Sequence, residues 1–148
     1  MAPLISLVVV TLIARLAGWL GWTYTTGWPA AVAVGLAAMF MVTGVAHFVA
    51  PVRSGLIAIV PPTLPAPGLL ITITGVLELL GAVGLVIPQT RVAAALCLAV
   101  LMVAMFPANV YAAGAKRSER APDTPLVPRT LMQALFLAAA VLVAVGSG

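Results

Sequence analysis

The stretch GLLITITGVLELLGAVGLVI, Gly68 to Ile87, is twenty residues long and contains one ionisable side chain, Glu78. At a rise of about 1.5 Å per residue, a helix of this length crosses the roughly 30 Å hydrocarbon core of a bilayer. No other Asp or Glu occurs before Glu119. A carboxylate at that depth must be neutral, paired or turned toward a protein interior, which makes Glu78 the first functional candidate. Gly75, Glu78, Gly81 and Ala82 recur at helical spacing and form a strip of small residues, so the carboxylate is expected to face another helix.

The rest of the chain has the same character. Of 148 residues, 64% are hydrophobic and 7% charged, against about 25% charged in a soluble domain, and mean hydropathy is +1.24. Such a chain cannot cover itself with a polar surface. It reads as all-α, a polytopic transmembrane helix bundle of five spans: Leu4 to Trp22, Ala30 to Ala50, Gly68 to Ile87, Val92 to Ala113 and Thr130 to Val145. Almost all of these 148 residues are needed for the spans, so no separate soluble catalytic domain is expected among them. The first span is kept as a helix rather than a signal peptide, because no basic residue precedes its apolar core and Arg15 interrupts it.

Between the second and third spans, Pro51 to Pro67 carries Pro61, Pro62, Pro65 and Pro67 around an apolar Leu56 to Val60 core. The prolines argue against a continuous helix, and the apolar core against an ordinary solvated loop. This segment is expected to be a re-entrant or interfacial lid over the bundle.

The net charge of +4 comes from a distribution that points to topology rather than nucleic acid. Arg53, Lys116, Arg117, Arg120 and Arg129 fall on one side of a five-span arrangement, and Arg91 on the other. The positive-inside rule then puts the N-terminus in the cytoplasm and the C-terminus outside. Trp19, Trp22, Tyr24 and Trp28 become an outer aromatic belt. Arg15 and Glu78 both lie roughly 15 to 17 Å from the inner end of their helices, so they either pair or Arg15 snorkels to that belt.

A second polar group is expected nearer the inner surface. His47, Asn109 and Gln133 arrive there from three helices, with Pro107 freeing the carbonyl of Val103 as a further acceptor. His47 has a plain reading as a buried histidine donating to a carbonyl, and Asn109 and Gln133 as interhelical hydrogen bonds; their convergence with Glu78 is what suggests a ligand or proton-relay site. One His and one Cys, Cys97, offer neither a disulfide nor a zinc site, so no metal is expected. Met39, Met41, Met102 and Met105 read as core.

The runs GVAHFVAP (Gly44 to Pro51), VPPTLPAP (Val60 to Pro67), GVLELLGAVGLVIP (Gly75 to Pro88) and FPANVY (Phe106 to Tyr111), followed by Gln133, resemble the DoxX-like family of small bacterial membrane proteins. The resemblance implies a four-helix DoxX-like membrane domain over 30–148, preceded by an N-terminal transmembrane helix and outer loop over 1–29. It also implies an inner-membrane location and association with quinone-linked redox systems, although some relatives are assembly chaperones. The chain lacks the paired cysteines of certain redox relatives, which argues against thiol transfer. Three functions are compatible with it: a quinone-interacting accessory subunit of an oxidoreductase, with no covalently bound cofactor; a non-enzymatic assembly factor for another membrane protein; or a carrier or isomerase of a small lipophilic molecule. The expected partners are the lipid bilayer and either another membrane protein or a second copy of the chain, not nucleic acid.

Overall fold

The computed structural model describes residues 2–114, 116, 119, 121 and 124–148. Among them it is built of six helices: α1 Ala2–Trp19, α2 Trp28–Ala46, α3 Ala50–Ala58, α4 Pro67–Val86, α5 Arg91–Ala113 and α6 Leu126–Gly146. All but α3 are long and apolar enough to cross a membrane, and the protein is a multi-pass membrane protein.

Proline sets three of the helix starts. Pro29, Pro51 and Pro67 lie at the first or second position of α2, α3 and α4. The first N–H groups of a helix have no intrahelical acceptor, so proline costs nothing there and its fixed φ favours the turn. This corrects two expectations. The second span ends at Ala46 rather than Ala50, and Pro51 opens a short helix instead of closing a long one. The last span likewise starts at Leu126, with Pro128 in its first turn, which places Gln133 two turns into the helix rather than one.

Helix α2 is the hub, packing against α1, α4 and α6; contacts of α4 with α5 and of α5 with α6 close a four-helix ring, and α1 leans on the outside of α2. The core runs through Leu36, Met39, Phe40, Leu85, Leu98 and Val143. Met39 and Met102 are in that core, whereas Met41, expected with them, is exposed on the outer face of α2, as is Cys97 on α5.

Two glycines let α2 and α4 approach. A Cβ on Gly44 would fall 2.9 Å from the Leu79 side chain and 3.3 Å from Glu78 Cβ, and one on Gly75 would fall 2.6 Å from His47 Cβ. Only a residue without a side chain fits at either point. The strip of small residues thus faces protein as expected, and the close approach brings the polar residues of α2 onto Glu78.

The lid is more ordered than the prolines suggested. Arg53 of α3 donates to the carbonyls of His47 and Gly68, both at 2.9 Å, and to the Thr72 hydroxyl at 2.9 Å, tying α3 to the end of α2 and the start of α4. Ile59 and Leu56 pack with Ala112 and Ala121 in a small second core. The turn back to α4 passes through Ala66 at φ 48°, a left-handed conformation that L residues rarely adopt.

Candidate functional site

Glu78 and His47 are each 4% exposed, facing one another across the α2–α4 contact. The imidazole Nδ1 lies 2.8 Å from the carbonyl of Thr43, one turn back on α2. A carbonyl only accepts, so Nδ1 carries the proton and, in the neutral ring, Nε2 carries a lone pair. Among the described residues Nε2 has no hydrogen-bond partner. Glu78 Oε2 accepts from the Thr43 hydroxyl at 2.5 Å and lies 3.9 Å from His47 Nδ1. Thr43 therefore serves both residues, His47 by its carbonyl and Glu78 by its hydroxyl. Thr43 was not among the expected residues, yet Thr43 and His47 stand at the i, i+4 spacing that puts two side chains on one helical face.

These three residues lie along a cavity of about 480 Å³ between α2, α4, α5 and the lid. Thr74 and Asn109 are its other polar lining residues, and the remainder of the wall is aliphatic, from Ile71, Leu101 and Met105 among others. The lid closes it with Val52, Leu56, Ile59, Val60 and Leu64. Of the four prolines expected to form the lid, Pro61, Pro62, Pro65 and Pro67, none lines the cavity. They shape the turn, and the aliphatic side chains between them form the cover.

Asn109 and Gln133 are brought together, but only Asn109 reaches the cavity. Asn109 Nδ2 donates to Gln133 Oε1 at 3.4 Å, and Gln133 Nε2 donates to the carbonyl of Met102 at 2.6 Å. The carbonyl expected to need a partner because of Pro107 was that of Val103; the one Gln133 takes is its neighbour. Arg129, which sequence alone placed as a charge flanking the loop, is buried in α6. Its Nε donates to the Thr124 carbonyl at 2.6 Å and its guanidinium to Asn109 Oδ1 at 3.4 Å. Gln133 thus braces Asn109 from behind and has no amide donor directed to the cavity.

Arg15 does not pair with Glu78. Its guanidinium carbon lies 4.9 Å from the centroid of the Trp19 ring and 5.4 Å from that of Trp28, at the far end of the bundle. Equal depth gave no information on direction around the helix axis, and α1 packs on α2 from outside the ring that holds α4. The snorkelling alternative describes what is found. Arg91, at the same end, is buried, donating from Nε to the Leu85 carbonyl at 3.1 Å and from its terminal nitrogen to the Tyr24 hydroxyl at 2.5 Å. Tyr24 in turn donates to the carbonyl of Val86. Of the basic residues counted for topology, Arg117 and Arg120 lie outside the described residues.

Among the described residues no three His, Cys, Asp or Glu side chains gather in one place. The chemistry available is hydrogen bonding and proton exchange at the buried Thr43, His47 and Glu78 group, beside an apolar chamber large enough for a small organic molecule.

No curated protein and no solved structure matches the chain. A family model, Domain of unknown function (DUF8561), matches residues 36–145, from within α2 to the end of α6. The match covers most of the four-helix ring, the lid and every residue of the candidate site, and leaves out α1. The chain belongs to this family, the Domain of unknown function (DUF8561).

Proposed function

We propose that the protein is a membrane subunit that holds a small lipophilic molecule in the cavity beneath the lid, with the polar end of the molecule against His47, Glu78 and Asn109 and its apolar body along α4 and α5. The observation that carries this reading is a buried carboxylate and a buried imidazole with an unpartnered nitrogen, placed together on an otherwise aliphatic chamber. A leucine at position 78 would fill a glycine-lined helix contact at lower cost than a carboxylate.

A quinone or quinol is the molecule that best combines such a polar end with an apolar body, and the resemblance to DoxX-like proteins favours the same class. The donor and acceptor inventory refines the choice. With Nδ1 bonded to the Thr43 carbonyl, Nε2 of the neutral His47 ring is an acceptor, and Gln133, whose amide serves Met102, supplies no donor to the cavity. A hydroxyl-bearing head, as in the reduced quinol, suits that wall better than a carbonyl-bearing one. On this reading the protein presents the molecule to a redox partner and needs no metal.

We place it in the plasma membrane of a bacterium, with the lid and the α5–α6 connection in the cytoplasm and the C-terminus outside, because Arg53 and Lys116 gather at the end of the bundle opposite Arg91. Reporter fusions in the α5–α6 connection and after Gly148 test that orientation.

Purification in mild detergent, followed by mass spectrometry of the organic extract and of co-purifying proteins, tests the function. A stoichiometric quinone or other lipophilic molecule is expected. A stoichiometric partner protein with no small molecule would favour an assembly factor instead.

A further inference from the structure

Two arginines lie at the same end of the bundle, and their surroundings differ. Arg91 is buried and its donors meet the Leu85 carbonyl and the Tyr24 hydroxyl. Arg15 is half-buried, has the rings of Trp19 and Trp28 beside it, and has no hydrogen bond among the described residues; its Nε is buried without a partner. Aromatic faces attract the cation but accept none of its five in-plane N–H groups in the way an oxygen does. Among the described residues no Asp or Glu side chain meets it. The chain has three acidic residues. Glu78 is engaged by Thr43, Glu119 bonds Lys116 at 2.9 Å, and Asp123 falls outside the described residues.

The position is built rather than incidental. A Cβ on Gly18 would fall 2.3 Å from the carbonyl oxygen of Thr25, so the turn from α1 to α2 closes tightly and fixes Trp28 beside Arg15. Trp19, Trp22 and Trp28 are all about half exposed or more, as indoles at the headgroup level of a bilayer are. One turn deeper on the same face of α1, Thr11 and Leu12 border an apolar groove of about 340 Å³ whose other wall is α6, through Leu135 and Leu142.

We infer that Arg15, flanked by Trp19 and Trp28, binds the phosphodiester of a membrane phospholipid, one of whose acyl chains runs down the groove between α1 and α6. The planar guanidinium matches a two-oxygen anion bidentately, and the phosphate is the acceptor that a bilayer offers at tryptophan depth. The groove begins one helical turn, about 5 Å, below the cation, so head and chain are met by adjoining surfaces. The site is separate from the cavity beneath the lid and lies at the opposite end of the bundle.

The test is native mass spectrometry of the full chain in a phosphate-free detergent, titrated with phosphatidylglycerol or with a galactosyl diacylglycerol of the same acyl chains. The wild type is expected to retain one phosphatidylglycerol in preference to the galactolipid, and Arg15→Gln to retain it about tenfold less, the effect of one charge-assisted hydrogen bond. Excess inorganic phosphate is expected to leave the adduct in place. Equal retention of the two lipids by the wild type, or of phosphatidylglycerol by wild type and Arg15→Gln, overturns the proposal, and displacement by inorganic phosphate alone overturns the lipid as its source. Should the variant not fold, the wild type still decides, because all three tryptophans of the chain are at this end. Their emission should shift with phosphatidylglycerol and not with galactolipid; the same response to both would sink the idea.

Discussion

Thr43 and Glu78 meet across the α2–α4 contact, the hydroxyl donating to Oε2 at 2.5 Å while the Thr43 carbonyl accepts from His47 Nδ1 at 2.8 Å. One residue thereby sets both the carboxylate and the tautomer of the imidazole. Thr43→Val keeps the shape and removes the hydroxyl, leaving the buried carboxylate without its donor. The expected loss is about 1–3 kcal/mol, with most of it recovered in Thr43→Ser. Thermal melting in detergent measures it, and a Thr43→Val protein as stable as wild type would mean that the hydroxyl is not needed.

Arg15 and Glu78 have different partners on different sides of α2, so their substitutions should be independent. The effects of Arg15→Gln and Glu78→Gln on stability are expected to add within about 0.5 kcal/mol. A double-mutant cycle that shows strong coupling would restore the ion pair that depth alone suggested.

The contrast between pairing and snorkelling marks what a sequence can hold. Five spans and the inward face of Glu78 were legible, because length, hydropathy and the period of Gly75, Glu78 and Ala82 are properties of single helices. Which helix lies beside which is not, and so the sequence leaves both pairing and snorkelling open for Arg15. Pro51 was ambiguous for a local reason: proline serves a helix start as well as a helix end. Thr43 went unmarked because a threonine in an apolar helix ordinarily bonds its own backbone, and only the position of Glu78 gives it a second role. In the sequence Arg53 and Arg129 count only as topology charges, yet both spend their guanidinium groups on carbonyls and side chains of neighbouring segments.

Gly75 should tolerate no side chain. Gly75→Ala places a methyl 2.6 Å from His47 Cβ and is expected to cost about 1–3 kcal/mol by forcing α2 and α4 apart. Gly68→Ala in the same helix, where the nearest atoms are 4.0 Å away, should be neutral or stabilising by about 0.4–1 kcal/mol. Equal melting temperatures for the two variants would contradict the packing described.

The left-handed turn at Ala66, between Pro65 and Pro67, gives a test of the lid hinge. Ala66→Val should be less stable than Ala66→Gly by about 1–2 kcal/mol, because a β-branched side chain is the more strained at positive φ. No difference between them would mean that the hinge does not hold this conformation.

The proposed function requires a lipophilic molecule in the chamber beside Thr43, His47 and Glu78. Ala108 lines it from α5 without taking part in the polar group, so Ala108→Trp fills the space and leaves the acid and imidazole in place. The decisive measurement is the amount of small lipophilic molecule extracted per mole of folded protein, compared between wild type and Ala108→Trp. Close to one equivalent is expected from the wild type, with most of it lost from a folded Ala108→Trp protein; equal amounts from both, or none from the wild type, would rule out an occupied chamber.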